Sequence, residues 1–141
     1  MKPSKNYTIH LTHIFRHTGH SVGQLRLIFH LPNTVTGGGV FLAYVQRFDI
    51  VPQLSSGHRA AQPEPTTKMY VLKRALRADK ARIGDVIPLS RLRSPIYLQP
   101  RFGPIADPRL TSQNSLEYSS EFWLNHYAEK EHFWALHVRR V

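Results

Sequence analysis

"GDVIPLSRLRSPIYLQPRFG", residues 84–103, combines strand-forming residues with three prolines and three arginines. Its Val, Ile, Leu and Tyr suit a pleated, half-buried surface. Prolines at 88, 95 and 100 divide it, and proline has no N–H to give a β ladder, so one long central strand is excluded. The segment reads as two short strands joined by a turn at residues 90–94, with Ile87, Leu89, Ile96 and Leu98 facing a core. It also carries Arg91, Arg93 and Arg101 and no carboxylate after Asp85, which raises the question of a partner.

Upstream of it, "MYVLKRAL" (69–76) reads as a strand with Tyr70, Leu72 and Arg74 on one face. The charged turn "RADKARIGD" (77–85) then returns it as a hairpin into "DVIPL". A helix through residues 73–82 competes, because Ala, Leu, Arg and Lys form helices well, but Gly84 limits it. "VFLAYVQRFDIVPQ" (40–53) is the best strand candidate: Phe41, Ala43 and Val45 alternate with Leu42, Tyr44 and Gln46, and Pro52 ends it. "GQLRLIFHLP" (23–32) is another strand, followed by the loop "NTVTGGGV". "LSSGHRAAQPEPTTK" (54–68) has the composition of a surface loop. Residues 115–138 have loose helical spacing, with Asn114 and Glu117 placed like a capping pair, and so predict one or two short helices. The fold class expected is mainly β, or α+β: a small β-barrel-like domain over residues 19–141 with a helical C-terminal cap, preceded by a flexible His-rich leader over residues 1–18.

A chain of 141 residues without cysteine can build one core without staples, and it has no disulfide, thiolate zinc site or cysteine nucleophile. No apolar run approaches the roughly 20 residues of a membrane span, so an intracellular protein with no membrane partner is expected. The net charge of +10 attracts polyanions, and nucleic acid is the first partner to consider. That charge is uneven. Residues 1–48 contain no Asp or Glu, residues 68–101 carry nine Lys and Arg against Asp79 and Asp85, and residues 117–131 carry four Glu against Lys130.

The candidate contact residues are Lys73, Arg74, Arg77, Lys80, Arg82, Arg91, Arg93 and Arg101, which, with Lys68, bracket two strands and interleave with Tyr70, Tyr97 and Phe102. Basic strands with exposed aromatics can follow a phosphate backbone and stack bases. The alternative is a solvated charged face with the aromatics in the core. His10, His13, His17 and His20 would share one face of a helix, but no carboxylate stands by to orient the imidazoles, so no metal site is assigned. The acids are scattered singly, and no nucleophile elbow, phosphate-binding glycine loop or dinucleotide fingerprint is present. The expectation is a protein that is not an enzyme and uses no cofactor and no small-molecule substrate.

Five blocks in order, "GHSVGQLRLIF", "FLAYVQRFDIVPQ", "MYVLKRALRADKARIGDVIPLSRLRSPIYLQPRFG", "ADPRLTSQNSLEYSSEFWLNHY" and "EHFWAL", resemble the C-terminal region of fungal transposon proteins of the Plavaka type, relatives of the CACTA transposases. In that family cut-and-paste chemistry belongs to an upstream domain whose acidic metal ligands have no counterpart here. The resemblance implies a non-catalytic accessory module, a remnant or fragment of such an element, working in the nucleus on DNA or chromatin or docked on the transposase core. The order of "YVQRFDIVP", "MYVLKRAL" and "DVIPLSRLRSPIYLQP" is also similar to chromatin-associated domains of the bromo-adjacent homology type. Arg47 and Phe48 stand where those carry a tryptophan, so an aromatic peptide cage is not implied.

Overall fold

The computed structural model describes residues 8–11, 21–32, 38–55, 58–60, 62–105, 107–128 and 130. It is mainly β. The strands are β1 (Thr8–Leu11), β2 (Ser21–Leu31), β3 (Val40–Ile50), β4 (Gln53–Ser55), β5 (His58–Ala60), β6 (Tyr70–Arg74), β7 (Gly84–Pro88), β8 (Leu92–Pro100) and β9 (Glu121–Asn125). A 3-10 turn, Leu89–Arg91, links β7 to β8, and a short helix α1 (Ser115–Tyr118) precedes β9. The chain divides into two compact units interleaved in sequence, one made of Met1–Asp49 and Arg74–Pro95, the other of Ile50–Lys73 and Ile96–Val141.

In the first unit β2 and β3 form a long antiparallel pair, with β1 beside β2 and β7 beside β3. A β-bulge between Leu25 and Leu27 shifts the register, and this decides which residues share a face. Before it, Gln24 stands opposite Gln46; after it, Leu27 stands opposite Tyr44 and Ile28 opposite Ala43. One face buries Ala43, Val45 and Ile87, against which Leu25, Leu89 and Leu92 pack. The other carries the rows Leu27–Tyr44–Val86 and Phe29–Leu42–Pro88, with Leu27 and Val86 exposed. Near the end of β3 that second face turns inward, and Val22 and Phe48 are buried opposite one another.

In the second unit β9 lies between β6 and β8, antiparallel to both. The alternation along β9 is strict: Phe122 and Leu124 are buried, Trp123 and Asn125 partly exposed. Rows Pro100–Phe122–Leu72 and Leu98–Leu124–Tyr70 build the core, with Ile96 buried as well. Phe122 and Leu72 are fully buried, each contributing about 1.5–3 kcal/mol by leaving water.

Several expectations change. Thr8–Leu11 form a strand against Ser21–Gln24, so the leader is not wholly irregular, and His10 opposite Val22 is extended rather than on a helical face. His13, His17 and His20 lie outside the described residues. The expected loop over residues 54–68 contains the β4–β5 pair. The expected hairpin through the charged turn forms over Ala75–Ile83, and the competing helix over 73–82 does not. The turn at 90–94 falls earlier, at Leu89–Arg91, and β8 runs on through Pro95. Residues 121–125 are strand, not helix, because period-two alternation wins over loose helical spacing. Asn114 is the N-cap residue of α1, but its side chain accepts from the Thr111 N–H (2.7 Å) and donates to the Arg109 carbonyl (2.9 Å), so the capping box does not form. The end of the C-terminal cap, residues 131–138, lies outside the described residues.

Candidate nucleic-acid interface

The interleaving sorts the charge. The first unit holds eleven Lys and Arg against Asp49, Asp79 and Asp85, whereas the second holds eight against six carboxylates. Of the candidate residues, Arg74, Arg77, Lys80, Arg82, Arg91 and Arg93 fall in the first unit, and Lys73 and Arg101 in the second.

Three backbone hydrogen bonds build the base of the hairpin that presents most of the first set. The Arg47 N–H donates to the Ile83 carbonyl (2.9 Å), the Ile83 N–H to the Ala75 carbonyl (2.9 Å), and the Ala75 N–H to the Arg47 carbonyl (2.9 Å). From this node the two arms run outward through the Leu76–Arg82 bridge to a tight tip. There the Arg77 N–H donates to the Ala81 carbonyl (2.8 Å), the Lys80 N–H to the Arg77 carbonyl (3.0 Å), and the Asp79 carboxylate accepts the Ala81 N–H (2.9 Å). Lys80 closes the turn with φ 65°, the left-handed conformation that glycine adopts most cheaply. Arg77 and Lys80 are exposed at this tip.

The arms are anchored by two of the predicted contact residues. Arg74 Nη1 donates to Gln24 Oε1 (3.0 Å) and its guanidinium lies 4.9 Å from the Phe48 ring centroid, while Arg82 Nη1 donates to Gln46 Oε1 (3.2 Å). Because Gln24 and Gln46 face each other across β2 and β3, each arginine ties one hairpin arm to one strand. Both arginines are half-buried, and Gln24 is 1% exposed, so this is a packed polar network rather than an open surface.

Arg91 and Arg93 are exposed at the far end of β7, in and just after the 3-10 turn. Five residues of β7 put about 13 Å between its ends. The first unit thus shows exposed cations before and after one short strand.

In the second unit Lys73 is exposed and stands opposite Glu121. Arg101 donates from Nη1 to Glu121 Oε2 (2.8 Å) and covers the Trp123 ring at 4.9 Å, an arrangement that occupies its charge locally. Of the interleaved aromatics Tyr70 is buried, whereas Tyr97 and Phe102 are about half exposed. A second lysine, Lys68, also has a left-handed φ of 59°. It follows a turn in which the Glu64 carboxylate accepts the N–H groups of Thr67 (2.6 Å) and Thr66 (3.0 Å). Those bonds, the Thr67 one foremost, lower the Glu64 pKa from 4.5 to about 2. Asp107, held by the guanidinium of Arg109 and by its N–H, is likewise lowered to about 2. Beside that pair, Leu110, Asn114 and Tyr118 complete a surface cleft of about 340 Å³.

Among the described residues no three His, Asp or Glu side chains group as a metal site, and no helix is long and apolar enough to cross a membrane. Residues 16–69 match the model of a family described as a domain of unknown function, DUF6830. Neither a curated protein nor a solved structure matches the chain.

Proposed function

We propose that this protein is a non-catalytic module that contacts DNA through the basic first unit, as an accessory of a transposon-derived system acting in the nucleus. The observation that supports it is the division of charge. A unit with eleven cations against three carboxylates attracts a polyanion, and four exposed members flank β7 in sequence, Arg77 and Lys80 at the hairpin tip before it and Arg91 and Arg93 after it. Lys80 adds a second reason. A position that favours glycine holds a lysine, a local conformational cost of the kind found at binding surfaces. The Plavaka-type resemblance supplies the nuclear and transposon setting. Arg74 and Arg82 are half-buried and Arg101 lies in the second unit, so the contact set narrows to the exposed candidates of the first unit, Arg77, Lys80, Arg91 and Arg93.

If these four each neutralise one phosphate, the salt slope is about −3.6, and affinity for duplex DNA falls about 150-fold between about 50 and 200 mM salt. Replacing Arg91 and Arg93 by alanine lowers the slope by about 1.8 and weakens all DNA sequences alike. No binding to duplex DNA at low salt ends this reading. Docking onto an acidic protein would then account for the charge.

A further inference from the structure

We propose that the outer edge of β7 is a docking edge, to which an extended, acidic segment of a partner protein adds as a further strand. This goes beyond the DNA reading: it rests on the main-chain groups of the edge, and it shares with that reading only the flanking cations. In an antiparallel pair, alternate residues turn their main-chain groups toward the neighbour. Because the Arg47 N–H donates to the Ile83 carbonyl, residues 83, 85 and 87 are the ones that face β3. Gly84, Val86 and Pro88 therefore turn theirs outward, and no strand among the described residues pairs with that side. Pro88 fits this phase, since its missing N–H falls on the open edge.

Side chains and charge specify the occupant. Val86 is 57% exposed and ends the apolar row Leu27–Tyr44–Val86, so an added strand gains an apolar neighbour at that level. Arg77 and Lys80 precede the edge and Arg91 and Arg93 follow it, so carboxylates on both flanks of the incoming segment meet cations. A second copy of this chain is disfavoured by the same fact. Two β7 edges paired about a two-fold axis would bring the cations of one copy against those of the other.

The test uses a labelled nine-residue peptide of alternating Val and Thr with two Glu at each end, titrated into the full chain. Binding should perturb the amides of Gly84 and Val86. Val86→Pro, which removes an outward N–H, should weaken it about tenfold or more, while Asp85 and Ile87 amides stay protected from exchange. Val86→Glu, which keeps the N–H but adds a repelling charge, should weaken it as well. A peptide flanked by Lys should fail to bind. Duplex DNA affinity of Val86→Pro should stay within about twofold of wild type, which separates this proposal from the DNA reading. Equal binding of the Glu-flanked peptide to wild type and Val86→Pro overturns the proposal, as does no binding at about 1 mM. Equal binding of the Lys-flanked peptide, or a wild-type dimer lost in Val86→Pro, overturns it too.

Discussion

Gly84 is the sharpest test of the β3–β7 packing. Its φ is not in the left-handed region, so the backbone does not demand glycine; the space does. A Cβ at position 84 would overlap the Tyr44 ring at Oη, Cζ and Cε2. Glycine in a strand is otherwise a liability: alanine at a compatible position stabilises by about 0.5–1 kcal/mol, chiefly by restricting the unfolded chain. Overpacking opposes this, at about 1–3 kcal/mol when a ring must move. In the wild type, Gly84→Ala should therefore cost about 1–2 kcal/mol net. In a Tyr44→Val background the ring is gone, and the same substitution should stabilise by about 0.5 kcal/mol. The double-mutant cycle then shows a coupling of about 2 kcal/mol, read by urea unfolding with extrapolation to water. A Gly84→Ala cost that is equal in both backgrounds, or absent from the wild type, refutes the placement of Tyr44 over Gly84 and with it the register of β7.

Two further predictions concern turns. Lys80→Gly should raise stability by about 0.5–1 kcal/mol, because it relieves the left-handed penalty, yet weaken duplex DNA binding; urea midpoints and salt-dependent titrations must move in opposite directions. Glu64 has a folded pKa of about 2 against an ordinary 4.5, so its contribution to stability is present above about pH 4.5 and is lost as pH falls toward 2. Glu64→Gln keeps an acceptor for the two threonine N–H groups but cannot titrate, so its stability profile between pH 4.5 and 2 should be flatter than that of wild type. Identical acid limbs in the two proteins would sink the assignment.

The strands were legible where composition and punctuation agree. Prolines 88, 95 and 100 rule out one strand over 84–103, and the structure shows how two of them fit, Pro88 on an open edge and Pro100 at a strand end opposite Phe122, while Pro95 lies within β8. Ile87 and Ile96 are buried, and Leu89 packs against the core. β9 reads as helix from sequence because "EFWLN" is short and its alternation is hidden by flanking aromatics that also satisfy a helical period. The bulge between Leu25 and Leu27 leaves no mark in composition, yet it swaps the faces of everything after it. Phe41 shows the limit of alternation: it shares a face with buried Ala43 and Val45 but is 57% exposed, because it lies beyond the core's edge.

The sequence names the cations one by one and does not show how the fold distributes them. A sequence window shows nine cations over 68–101 and cannot tell that two of them anchor glutamines fifty and thirty-six positions away. It also cannot show that the acid-free residues 1–48 and the basic hairpin belong to the same unit, while the glutamates of 117–131 belong to the other. Charge segregation here comes from the path of the chain rather than from a run of like residues. The hairpin leaves the second unit at Lys73, delivers six cations to the first, and the chain returns at Ile96. Removing any one arginine leaves that asymmetry in place. A polyanion partner should therefore lose only about 0.9 of salt slope with a single substitution, such as Lys80→Gly, and about twice that with the paired Arg91 and Arg93 replacement.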